Sequence, residues 1–140
     1  MNAQRVLFLC THNSARSQMA EGLLRARGGD RYQAFSAGSE ATAVRPEAIA
    51  VMAELGIDIS SQESKRLDRF FGQSFDLVIT VCDFNQGESC PVFAGAAQTL
   101  RWDVEDPSSA AGPTSERMAV FRRVRDELDR RIRELAVSRE

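Results

Sequence analysis

No apolar run in this 140-residue chain approaches the roughly 20 residues needed to cross a bilayer. Charge of one sign is also scarce. The net charge is -2, so bulk electrostatics gives no argument for nucleic acid or for an anionic membrane as partner. Lysine occurs once, as Lys65, against seventeen arginines, a bias to which we attach no function. Histidine also occurs once, as His12. Three cysteines, at 10, 82 and 90, are an odd number with no secreted disulfide framework and no paired C-x2-C spacing of a zinc site. Internal repeats, low-complexity segments and an interdomain linker are likewise missing. The leading residues pass straight into Val6 to Cys10, which is too short for a signal-peptide core. The cytoplasm is the expected compartment. There the cysteines are structural thiols, metal ligands or catalytic thiols.

What is present reads as one soluble domain over 1–140, with 43% hydrophobic and 27% charged residues. Strands are expected at 5–9, 32–38, 75–81 and 98–102. The strand at 75–81 is the clearest because it is rich in β-branched residues. Helices are expected at 17–27, stopped by Gly28-Gly29, from Pro46 to about Gly56, and at 114–137. The last carries a stripe of Met118, Phe121, Val124, Leu128, Ile132 and Leu135. Ser60 with Glu63 three residues later forms a capping-box pattern and predicts a short helix through Leu67, Phe70 and Phe71. Gly38 reads as a tight turn closing the second strand. Strands alternating with helices imply an α/β fold with a doubly wound, four-stranded parallel sheet and helices on both faces. Ligands of such folds sit beyond the carboxyl ends of the strands. Cys10, Cys82 and Asp106 each follow a predicted strand and are therefore expected at one edge.

The stretch Cys10-Thr11-His12-Asn13-Ser14-Ala15-Arg16-Ser17 joins the first strand to the first helix. Loop N–H groups and the positive end of a helix suit a tetrahedral oxyanion, and a guanidinium at Arg16 can clasp two of its oxygens. The same field favours a nucleophilic thiolate at Cys10. A buried structural thiol is the competing reading of Cys10, and it suits Arg16 and a polar loop less well. Asn13 tolerates the left-handed backbone that a sharp loop needs, and Ser17 can hydrogen-bond the thiolate; local capping is the alternative for both. His12 is expected to point outward or to pack. Asp106 is a candidate general acid, with a turn aspartate before Pro107 as the competing reading and Asp103 and Glu105 as neighbouring competitors. Residues 83–95 read as irregular. Seven residues between Cys82 and Cys90, Gly87 among them, leave room for the two to meet. Three thiols in series would then carry an oxidation outward from the anion site.

The anion loop with Gln18-Met19-Ala20-Glu21 resembles that of the thioredoxin-coupled arsenate reductases, which share the low-molecular-weight protein tyrosine phosphatase fold. The similarity continues through Phe35 to Gly38, Leu55 to Ser60, Val78 to Asp83, Cys90 to Phe93, Trp102 to Pro107 and Phe121 to Leu128. The resemblance implies an enzyme that reduces arsenate to arsenite for detoxification. In it, Thr11 to Ser17 bind the oxyanion, Cys10 attacks arsenate, and Asp106 protonates the departing oxygen. A Cys10–Cys82 disulfide forms as arsenite leaves. Cys90 then attacks Cys82, and the Cys82–Cys90 disulfide is reduced by thioredoxin. Residues 83–95 are the expected moving segment. No bound cofactor or metal is implied; phosphate or sulfate also fits the loop, and a monomer is expected. Some members have six rather than seven residues between the second and third cysteines. Some bind potassium through residues matching Asn13, Glu21 and Ser36 plus an Asp, whose position is Lys65 here. The Lys65 ammonium is therefore expected to replace the cation beside Glu21, with a solvated helix face as the alternative. A phosphatase of phosphate monoesters is the alternative function, and weak phosphatase activity is expected in either case. A zinc- or arsenite-binding protein is a third reading. Mycothiol or glutaredoxin are the other candidate reductants.

Overall fold

A computed structural model describes residues 3–84 and 90–138. Four strands form one sheet in the order β2-β1-β3-β4: β1 (Gln4–Cys10), β2 (Tyr32–Gly38), β3 (Phe75–Cys82) and β4 (Ala96–Asp103). Every pairing is parallel. The chain leaves β1 for one neighbour and returns on its other side as β3, so the end of β1 is the switch point of the sheet.

Alternation along β1 divides its side chains between two cores. Val6 and Phe8 face the larger one, built with α1 (Arg16–Gly28), α2 (Pro46–Ala53) and α3 (Thr114–Ser138). Leu7 and Leu9 face the smaller one, where Phe70, Phe75 and Phe93 pack edge to face. Each such side chain taken fully from water contributes roughly 1.5–3 kcal/mol before entropy is counted. Helical segments thus lie on both faces, but unequally. The second face is covered by a 3-10 turn, Leu67–Phe70, and by the chain around Phe93. Among the described residues, no helix is long and apolar enough to cross a membrane.

Of the short helix expected through Leu67, Phe70 and Phe71, a 3-10 helix forms at Leu67–Phe70, but Ser60 does not open it. The Ser60 N–H goes to the carboxylate of Asp58 at 2.8 Å, and residues 62–65 take no regular structure before the extended Arg66 and the 3-10 turn at Leu67. The reason lies far away in sequence. Gly38 N–H donates to the Lys65 carbonyl at 2.9 Å, and Gly38 and Arg66 form an isolated parallel bridge. The segment serves as a strap across the end of β2, and long-range hydrogen bonds override the local cap.

Helix α3 buries Phe121, Val124, Leu128, Ile132 and Leu135, the stripe its spacing predicts, with Met118 partly covered. Arg125 interrupts the pattern. It is buried and donates to the Val51 carbonyl at 2.8 Å and to Glu54 at 2.7 Å, tying α3 to α2.

Candidate active site

The switch point holds Cys10, the last residue of β1. The pairing Leu9↔Thr80 sets β1 beside β3, and Cys82↔Asp103 sets β3 beside β4. Cys10, Cys82 and the loop carrying Asp106 therefore meet at one sheet edge, as the strand assignments require.

Cys10 is 2% exposed, and its Sγ lies 2.8 Å from Ser17 Oγ. The loop turns back at Asn13, whose φ of 49° is the left-handed backbone expected there. Helix α1 opens at Arg16 with no acidic residue in its first turn and no side-chain cap. Its positive end is thus left to whatever anion occupies the loop. Arg16 is 2% exposed; its guanidinium donates to the Val104 carbonyl at 3.2 Å and stands 3.7 Å from Asp106. Ala15 is buried, and Thr11 and Ser14 are partly so. His12 points outward, with Nδ1 3.0 Å from Glu40 on the surface.

Asp106 caps a turn, as the competing reading has it, and also faces the anion site. One carboxylate oxygen accepts the Ser108 N–H at 2.9 Å and caps the 3-10 turn Pro107–Ser109, while the other faces Arg16. The competitors have other partners. Glu105 accepts from Arg123 at 2.8 Å, and Asp103 accepts the Phe84 N–H at 3.1 Å. An open cleft of about 630 Å³ lies over the site, walled by Thr11, His12, Asp83, Glu105, Asp106, Ser109, Ala110, Ala111 and Val120. No phenylalanine, tyrosine or tryptophan stands among those residues.

Cys82 is fully buried at the end of β3 and forms a disulfide with Cys90, their α carbons 6.3 Å apart. Cys10 is the free thiol. Most of the intervening polar stretch, Asn85 to Ser89, lies outside the described residues.

The residues expected at a cation site are brought together behind the loop. Asn13 Oδ1 accepts the backbone N–H of Lys65 at 2.8 Å, Ser36 donates to Glu21 at 2.5 Å, and the Lys65 ammonium lies 3.6 Å from the same Glu21 carboxylate. The ammonium also donates to the Glu63 carbonyl at 2.7 Å. The Lys65 side chain is 11% exposed and stands on no helix, so the solvated-face reading is wrong. Burial pushes this ammonium below the ordinary lysine range, and Glu21 and Glu63 pull the other way.

Gly38 is not the turn expected of it. Its φ is not among the positive values; the demand is for space. A Cβ there would meet Thr11 O at 2.7 Å, Asn13 N at 2.8 Å and Cys10 O at 2.9 Å. All three are backbone atoms of the anion loop, which has nowhere to go. Gly38→Ala is expected to lower unfolding stability by about 1–3 kcal/mol in urea titration and to weaken phosphate binding to the loop. An unchanged midpoint would show that the loop can move aside.

Comparison with known proteins places these features. A model of the low molecular weight phosphotyrosine protein phosphatase family matches residues 5–140. The chain belongs to that family. Within it, the chain is 45% identical over 136 residues to an arsenate reductase of Halalkalibacterium halodurans, covering 97% of each. A solved arsenate reductase in the phosphate binding state superposes with a TM-score of 0.80 at 34% identity, over 96% of this chain and 98% of that one. A thioredoxin-dependent arsenate reductase of Corynebacterium glutamicum gives a TM-score of 0.70 at 32% identity, over 97% of this chain and 61% of that one. The resemblance read from the loop and the cysteines is borne out, as is the fold class.

Two polar features of this site differ from those that the sequence pattern marks. The Val104 carbonyl, which holds Arg16, carries no signal, because any residue supplies one. Gln18 is fully buried, although its helical neighbours at i+3, i+4 and i+7 are Glu21, Gly22 and Arg25, so the pattern gives no sign of its burial.

Proposed function

We propose that this chain is an arsenate reductase working through a three-cysteine relay. One observation carries the reading. A Cys82–Cys90 disulfide sits at the end of β3 while Cys10, at the end of the neighbouring β1 and in the loop that leads to Arg16, is a free thiol. That is the state in which such a relay ends.

The steps follow from the side chains. Loop N–H groups and Arg16 hold the arsenate oxygens, with Thr11 to Ser17 forming the cradle. The Cys10 thiolate attacks arsenic, and Asp106 gives a proton to the oxygen that leaves as water. Cys82 then attacks the Cys10 sulfur. The sulfur–arsenic bond breaks with its electron pair going to arsenic, arsenite departs, and a Cys10–Cys82 disulfide remains. Attack of Cys90 on Cys82 frees Cys10 and moves the disulfide outward, where thioredoxin supplies two electrons and two protons. Cycling with a dithiol reductant belongs to a reducing compartment, the cytoplasm. The deciding measurement is NADPH oxidation on arsenate with thioredoxin and thioredoxin reductase. Steady turnover is expected, and none with the full mixture overturns the proposal.

Hydrolysis of phosphate monoesters is expected as a weak side reaction, because Cys10, Arg16 and Asp106 serve it equally. A cleft whose described wall holds no phenylalanine, tyrosine or tryptophan gives a phosphotyrosine ring little apolar surface to pack against.

The Lys65 ammonium takes the place of a monovalent cation beside Glu21. Exchanging sodium for potassium should leave melting temperature and turnover where they are. A sharp rise of either in potassium would refute the substitution.

A further inference from the structure

Gln18 is fully buried one residue past Ser17, and no step of the relay uses it. Its amide nitrogen lies 3.1 Å from the Asn13 carbonyl, 2.8 Å from Asn13 Oδ1 and 2.9 Å from the Glu63 carbonyl. Its oxygen accepts from Gln62 Nε2 at 2.8 Å, and that same nitrogen donates to the Gln18 carbonyl at 3.1 Å. Gln62 Oε1 in turn accepts from Arg25 at 2.9 Å on the surface.

Backbone groups set the sense of every amide in this line. The Gln18 carbonyl admits only the NH2 of Gln62. The carbonyls of Asn13 and Glu63 admit only the NH2 of Gln18. The Lys65 N–H, 2.8 Å from Asn13 Oδ1, admits only an oxygen there. Asn13 is left with its NH2 to give to Ser17 Oγ at 2.8 Å. Ser17 Oγ lies 2.8 Å from Cys10 Sγ, and either atom can donate in the thiol form; once Cys10 is a thiolate, only the Ser17 O–H can. A thiolate accepts this hydrogen and a neutral thiol has less need of it.

We infer that Gln18 is a positioning residue for the nucleophile: through Asn13 and Ser17 it holds the hydrogen-bond donor that stabilises the Cys10 thiolate. Asn13 holds a left-handed backbone, which a residue with a Cβ adopts only with local hydrogen-bond support. Gln18 contacts both oxygens of that residue and so resists its relaxation. The inference rests on the reading of Cys10 as the nucleophile.

The oxidised protein offers a clean test, because Cys10 is then the free thiol and iodoacetamide reports on it alone. Gln18→Met keeps the volume and removes the donors. Gln18→Glu sets a carboxylate against three acceptors. Both are expected to displace the pH profile of Cys10 alkylation upward by about one pH unit, a tenfold slower rate on its rising limb. Gln62→Met, which leaves Gln18 its contacts with Asn13, should displace it less and in the same direction. Leu128→Ala, a destabilising change in α3, should leave it in place. Should Gln18→Glu fail to fold, Gln18→Met and Gln62→Met still decide. Profiles for the Gln18 variants that coincide with wild type, or move no further than that of Leu128→Ala, overturn the inference. A wild-type profile like that of a free cysteine overturns instead the nucleophile reading on which it rests.

Discussion

Cys90→Ser should release one arsenite per chain and then stop, while Cys82→Ser should release none. The difference follows from where the electrons go. In Cys90→Ser the first round proceeds as far as the Cys10–Cys82 disulfide. Both of those sulfurs sit in the buried edge of the sheet, Cys10 at 2% and Cys82 at 0% exposure. Thioredoxin has no outward sulfur to attack, and the chain is trapped. In Cys82→Ser, arsenic can bind to Cys10, but nothing takes the sulfur away from it, and the adduct returns to arsenate with water. Cys10→Ser should be inert in every assay. The control is phosphate monoester hydrolysis, which needs Cys10, Arg16 and Asp106 and should survive in both Cys82→Ser and Cys90→Ser. Single-turnover arsenite release and coupled NADPH oxidation read the two phases separately. A Cys82→Ser or Cys90→Ser enzyme that cycles normally on thioredoxin would falsify the relay.

Arg16→Lys is the second large effect, although it keeps the charge. A guanidinium presents a planar fork that matches two oxygens of a tetrahedral anion, whereas an ammonium is a point charge on a flexible stem. Arg16 is also fitted to its surroundings, one terminal nitrogen donating to the Val104 carbonyl at 3.2 Å and the other standing 3.7 Å from Asp106. Lysine would lose the fork and leave that carbonyl without its donor. Loss of one preorganised donor to a developing oxyanion costs about 10²–10³ in rate, and a comparable fall in kcat/KM for arsenate is expected. Phosphate monoester hydrolysis should fall in parallel, because both reactions use the same cradle. Reduction of the Cys82–Cys90 disulfide by thioredoxin should be unaffected, since that step lies outside the cradle. Arsenate kinetics within threefold of wild type would show that position 16 supplies only charge.

The anion loop was legible because its demands are local. A strand end, a cysteine, an arginine and a helix start are contiguous in sequence, and each has a propensity or chemistry of its own. The meeting of Cys82 with Asp106 at the same edge was legible too, because parallel strands put their carboxyl ends together. The strap at 62–66 was not. Ser60 and Glu63 carry a good local signal for a helix cap, and it loses to Gly38, which lies more than twenty residues earlier and requires the Lys65 carbonyl. Gly38 itself was marked as special for the wrong reason. Glycine gives one letter for two needs, an unusual φ or an absent Cβ, and only the packing against Cys10, Thr11 and Asn13 tells which applies.

Lys65 carries two duties of different heritability. Its ammonium, 3.6 Å from Glu21, shares that carboxylate with Arg25 at 2.6 Å, and that duty is visible to substitution. Its peptide group serves Asn13 with the N–H and Gly38 with the carbonyl, and nineteen of the twenty amino acids would do the same. Descendants of this chain are thus free to exchange the charge at position 65 and still inherit the shape of the loop. Proline alone, lacking the N–H, would break that inheritance.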